Sequence, residues 1–140
     1  LIEKENLQSH IILLGQVTPN ILRLITPTAW AGITIFENSG LNQYHSLANR
    51  FFDYVQAGIP QLCIAYPEYI QLNSTYEVAL MVDDLTPQTL ADGLNKLLEN
   101  NVLYQHLQQE TLQAANQWTW ENEEQQLLAI WQKLLPIDLP

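Results

Sequence analysis

Apolar residues along this chain come in short runs separated by polar turns, and two spacings account for most of them. Continuous apolar runs of strand length stand at residues 11–17 (IILLGQV), 32–36 (GITIF), 61–65 (QLCIA) and 78–82 (VALMV). Runs without alternation are expected of strands covered on both faces, as in a parallel sheet. Between them the period lengthens to that of a helix. Thr18-Pro19 and Thr86-Pro87 each read as an N-cap followed by proline at the first helical position. The first predicts a helix through Ile21, Leu22 and Leu24 to about Ile25, with Pro27 beyond its end. The second predicts a helix that places Leu90, Leu94, Leu97 and Leu98 on one face. Ser46 reads as the cap of a central helix that Gly58 and Pro60 stop. Residues 66–69 (YPEY) turn into a short helical segment, and further helices are expected at 102–117 and from Thr119 onward. The last carries an apolar stripe of Trp120, Leu127, Trp131 and Leu134, with Glu121, Glu123 and Glu124 suited to its positive end. Residues 1–9 read as irregular, 37–44 as a polar loop, and Trp118 and Trp120 as buried packing.

Four strands alternating with helices predict an α/β domain, a Rossmann-like parallel sheet with right-handed crossovers and flanking helices. In open sheets of this kind ligands bind beyond the carboxyl ends of the strands. The 37–44 loop, the start of the central helix, the 66–69 turn and the Asp83-Asp84 turn all fall at such ends. Pattern and topology point to one place.

The central helix is the most informative stretch (45–60, HSLANRFFDYVQAGIP). At about 100° per residue, Leu47, Ala48, Phe51, Phe52, Tyr54 and Val55 share one arc, and Ser46, Asn49, Arg50, Asp53 and Gln56 share the other. The apolar arc is expected against the sheet. Backbone N–H groups and the dipole at the helix start favour an anion, and Asn49 or Arg50 can add donors. Asp53, one turn on, can accept hydrogen bonds from sugar hydroxyls. A phosphate beside a ribose suits this face; so does plain solvent around an ordinary amphipathic helix, with Asp53 paired to Arg50 and His45 a loop histidine.

Composition narrows the classes. At 140 residues the chain predicts one domain, 1–140, and its start at Leu1 suggests a piece trimmed from something longer. Fifteen acidic residues against five basic ones give a formal charge of −10, which disfavours nucleic acid and anionic membrane surfaces as partners. One buried pyrophosphate remains compatible, since backbone amides and helix dipoles can bind it. No apolar run is long enough for a membrane span and no signal peptide opens the chain. The single cysteine, Cys63, reads as a buried strand residue, which fits a cytoplasmic, reducing compartment. Asn73-Ser74-Thr75 is formally a glycosylation acceptor but lacks a secretion context. Dinucleotide and P-loop glycine signatures are absent, and His10, His45 and His106 are too scattered to suggest a metal site. Asp83-Asp84 suits either a receiver-like acidic pocket or a capped, solvated turn. A receiver would also need a lysine late in the sheet, and Lys96 falls on a helix.

The run NQYHSLANRFFDYVQAGIPQL, followed by YPEY, resembles the donor-binding segment of group 1 glycosyltransferases of the GT-B fold, in particular a bacterial branch. Asn42, Tyr44 (shifted by one position), Asn49, Arg50, Phe52, Asp53, Tyr54, Ala57, Gly58 and Pro60 carry the resemblance. It extends loosely over residues 11–131 and implies the nucleotide-sugar-binding C-terminal half of a GT-B enzyme, lacking its first strand–helix unit and the whole acceptor-binding N-terminal domain. The implied donor-binding set is Ser46, Leu47, Ala48, Asn49, Arg50, Asp53 and Glu68. In it Asp53 meets the ribose and the amides of Leu47, Ala48 and Asn49 approach the pyrophosphate. Many relatives carry two glutamates flanking seven residues; here those positions hold His45 and Asp53, so His45 is the single candidate for a catalytic part and the stereochemistry is left open. The implied reaction moves a sugar from a nucleotide diphosphate-sugar to an acceptor hydroxyl without a metal or other cofactor, and the piece alone is expected to be inactive. The expected location is the cytoplasm, with peripheral attachment to the inner membrane through the absent domain. Half of a nucleotide-sugar epimerase and a non-catalytic GT-B-like interaction module are the alternatives.

Overall fold

In the computed structural model, which describes residues 1–135, three parallel strands in the order β1-β2-β3 carry helices on both faces. The strands are β1 (Gly32–Thr34), β2 (Gln61–Ile64) and β3 (Ala79–Val82), paired in register Gly32 with Gln61 and Gln61 with Ala79. The helices are α1 (Pro19–Ile25), α2 (Leu41–Tyr44), α3 (Asn49–Gln56), α4 (Pro67–Thr75), α5 (Pro87–Glu99), α6 (Asn101–Gln117) and α7 (Trp120–Leu134), with a 3₁₀ turn at Thr26–Thr28. This is a small, roughly Rossmann-like α/β domain.

Side chains of β2 alternate between two helical layers. Gln61 and Cys63 face α3, and Leu62 faces α5, where Gly93 lets the helix approach: a Cβ there would stand 2.6 Å from Leu62 Cδ1. All four residues of β2 are buried, as a central parallel strand requires. Phe51, Val55, Leu62, Tyr69, Val78, Leu97 and Leu107 form the core. α6 touches the chain just ahead of each strand: Tyr104 Oη donates to the Trp30 carbonyl (2.7 Å), Leu112 meets Gly58, and His106 pairs with Glu77 (2.8 Å). The opposite rim, at the carboxyl ends, is left to the loops after β1, β2 and β3. The outer edge of β3 is occupied by a side chain, since Asn73 Oδ1 accepts from Ala79 N–H (2.9 Å) and its Nδ2 donates to Ala79 O (3.1 Å).

The proline caps form as expected. Thr18, Thr86 and Thr119 each accept from the N–H three residues on, at the starts of α1, α5 and α7. Gly58 ends α3 with φ at 71°; its N–H donates to Val55 O and that of Ile59 to Tyr54 O, a Schellman closure.

Several expectations are corrected. Residues 11–17 form no strand, so the sheet has three strands and not four. Ile12 is 82% and Leu13 79% exposed. An apolar run expresses a tendency toward burial, but a strand also needs a neighbour's hydrogen bonds, and among the described residues no strand pairs with this one. Ser46 does not cap the central helix: α3 begins at Asn49 behind Ala48, and the Ser46 hydroxyl donates to the Gln43 carbonyl (3.2 Å). The 37–44 loop contains the single turn α2, and the short helix after Pro67 runs on to Thr75. Trp118 packs against Phe52 and Tyr76 as expected, whereas Trp120 is exposed, and so is the whole stripe of α7. Leu47, expected on the buried arc, is exposed ahead of the first turn of α3.

Candidate functional site

Two clusters meet on α3. The first sits at the carboxyl ends of β1 and β2. Tyr66 Oη donates to the Phe36 carbonyl (2.6 Å), tying the two strand ends together. The Arg50 guanidinium lies 5.5 Å from the centre of the Phe36 ring, a cation–π placement that holds the charge at this rim. His45 Nδ1 stands 3.6 Å from Glu68 Oε1 across the rim, both groups partly exposed. Next to Glu68, Tyr69 is fully buried and its hydroxyl accepts from Ala48 N–H (2.9 Å). Burial raises the Tyr69 phenol above its ordinary range, so it remains a neutral hydroxyl at physiological pH.

The second cluster is a groove of about 710 Å³ between α3 and the segment 17–27. Asn49, Asp53 and Gln56 of α3, with Ala57 just past its end, form one wall. Val17, Pro19, Leu22, Arg23, Thr26 and Pro27 form the other. Its size is within the range of about 300–1,000 Å³ usual for small-molecule sites. One wall therefore offers two side-chain amides and a carboxylate, and the other a mostly apolar surface with one guanidinium and one hydroxyl. That combination suits a flat, hydroxylated ligand carrying negative charge.

The predicted residues are thus divided. His45, Ser46, Arg50 and Glu68 gather at the strand ends, Asn49 and Asp53 line the groove, and Leu47 and Ala48 join the two. The Ala48 amide is engaged by Tyr69, while the amides of Asn49 and Arg50 have no partner among the described residues. Asp53 makes no ion pair with Arg50: the ion pairs among the described residues are His45–Glu68 and His106–Glu77. Asp84 accepts from Thr86 N–H (2.8 Å), and this bond with the neighbouring threonine hydroxyls lowers its carboxyl below the usual value, as a solvated cap does. Cys63 is buried in the sheet, and desolvation pushes its thiol up to about 12. Among the described residues no group of three or more His, Cys, Asp or Glu side chains is placed to hold a metal, and no helix is long and apolar enough to cross a membrane.

Sequence reasoning did not reach the opposite wall of the groove or the Tyr69 hydroxyl. The Thr18-Pro19 cap gave α1 its start, but nothing local says that α1 faces α3. Tyr69 stood in the turn noted after β2, and its partner lies 21 residues away.

The fold and groove define the chain as a small α/β domain with a ligand-sized cleft beside its central helix. No family model matches the chain, and no curated protein or solved structure matches it either.

Proposed function

We propose that this chain is the donor-binding domain of a GT-B glycosyltransferase, which holds a nucleotide diphosphate-sugar while a second domain brings the acceptor hydroxyl. The observation that carries the reading is the groove. Asn49 and Asp53, which the resemblance assigns to the donor, stand together on one wall of a cleft whose other wall is apolar and bears Arg23. In this reading the Asp53 carboxylate accepts the ribose hydroxyls, and Val17, Leu22 and the two prolines cover the nucleoside. The diphosphate then lies toward the start of α3, where the unpartnered amides and the positive end of the helix favour negative charge. Arg50, held over Phe36, supplies the side-chain cation on that side. Departure of the diphosphate would be stabilised by these donors without a metal.

Catalysis is assigned to the assembled two-domain protein. The apolar stripe of α7, exposed along its length, suits packing against that second unit. The same stripe also supports a second reading, a GT-B-like module that binds a partner and no longer turns over a donor.

The test is a thermal-shift titration of the chain, and of the full-length parent, with uridine, guanosine and adenosine diphosphates and their sugars. Saturable stabilisation by one nucleotide is expected, with Asp53→Ala lowering the affinity at least about tenfold, the loss expected for charge-assisted bonds. Absence of binding by the parent would remove the transferase reading and leave the partner-binding module.

A further inference from the structure

The polar wall of the groove is only as well placed as the first turn of α3, and that turn has no cap of its own. Ala48 occupies the N-cap position with extended backbone (φ −79°, ψ 138°) and offers no side-chain oxygen. Ser46, two residues earlier, donates to the Gln43 carbonyl and stands beside the Tyr69 hydroxyl. What grips the turn comes from another element. Tyr69, in the first turn of α4 and fully buried, accepts from Ala48 N–H at 2.9 Å through its hydroxyl. Its ring packs on Phe51 at 5.2 Å between centroids, so one side chain holds α3 at two points. Phe51 N–H in turn donates to Ala48 O at 3.0 Å, which closes the turn around the pinned residue. Asn49 and Asp53 project from the same turns into the groove.

We propose that Tyr69 is a positioning residue for the ligand groove: its hydroxyl, by fixing Ala48, sets where Asn49 and Asp53 stand relative to the apolar wall. This rests on the nucleotide-binding reading above. The bond runs between α4, which follows β2, and the segment that follows β1, so it aligns the ends of adjacent strands with the helix that carries the binding groups. A hydroxyl is a directional tether that ring packing on Phe51 cannot replace.

The test is Tyr69→Phe, which keeps the ring and removes the tether, beside Tyr104→Phe, the same chemical change at a bond between residues that do not line the groove (Tyr104 Oη to Trp30 O). Amide hydrogen exchange at Ala48 and the dissociation constant for the diphosphate panel are measured on wild type and both variants, well below their melting temperatures. Tyr69→Phe is expected to speed exchange at Ala48 and weaken nucleotide binding about threefold to tenfold, the range for one directional hydrogen bond. Tyr104→Phe is expected to change neither, whatever it does to stability. Unchanged affinity in Tyr69→Phe, or equal losses in the two variants, would overturn the positioning role. Unchanged exchange at Ala48 would overturn the tether itself. If neither the wild-type chain nor its full-length parent binds any of the nucleotides, the nucleotide-binding reading fails and the positioning role for it falls too, while exchange at Ala48 still reports whether the tether exists.

Discussion

The sheet layer and the two ends of this chain are built from similarly apolar sequence and behave in opposite ways. Residues 61–64 (QLCI) are all buried, whereas Ile12, Leu13 and Leu14 in the equally apolar run 11–17 are at least 60% exposed. α5 buries Leu97 on the sheet, whereas α7, with a comparable stripe, buries nothing among the described residues. The difference lies in neighbours. β2 has a strand on each side and a helix on each face, while residues 11–16 and the apolar stripe of α7 are left exposed among the described residues.

Substitution at matched positions sharpens that contrast. Phe51→Ala empties a fully buried position and is expected to cost about 3–5 kcal/mol, a large part of the stability of a domain this size. Leu13→Ala and Trp131→Ala at the exposed ends should change stability by less than about 0.5 kcal/mol. Urea melts of the three variants check this, and a large loss at Leu13 or Trp131 would mean that the ends are covered within the chain after all.

A smaller effect is expected from the buried polar link. Gln61 accepts from the Thr34 hydroxyl (2.7 Å) and donates to the Phe51 carbonyl (3.1 Å), joining β1, β2 and α3 without exposure. Gln61→Leu leaves both partners unsatisfied and should cost about 1–3 kcal/mol, whereas Gln125→Leu on exposed α7 should cost almost nothing. Equal melting curves for the two would show that water reaches the Gln61 site.

The smallest effect concerns the turn after β3. Hydrogen bonding lowers the Asp84 carboxyl in the folded state, so its contribution is present above the ordinary value of 3.8 and lost as the pH falls through the lower folded value. Asp84→Asn should therefore lower stability slightly above that range, where the charged form contributes, leave it unchanged well below it, and so flatten a little of the acid limb. A large neutral-pH loss would contradict a solvated cap.

Much of the middle of the chain was legible. The Thr-Pro caps at 18–19 and 86–87, the Gly58 stop and the three strand runs that follow residue 31 are local signals, and the structure uses each of them. The run at 11–17 was misleading because strand formation depends on a partner the local sequence does not name. Ser46 was misleading because α3 starts only at Asn49, behind an alanine with no side-chain oxygen, and the Ala48 amide is held by a tyrosine in another element. The candidate site was legible on the α3 side, where Asn49 and Asp53 are one turn apart, and silent on the opposite wall. The segment meets α3 through the 3₁₀ turn Thr26–Thr28, a contact between parts of the chain more than twenty residues apart that no local pattern announces.

The central claim is that the groove between α3 and residues 17–27 holds a nucleotide diphosphate. The most direct test is an amide chemical-shift map of the chain titrated with the diphosphate that stabilises it most. Saturable shifts are expected at Val17, Leu22, Arg23, Asn49, Asp53 and Gln56, reduced in Asp53→Ala, with α6 and α7 unmoved. Shifts centred on α6 or α7, or a map unchanged by Asp53→Ala, would contradict it.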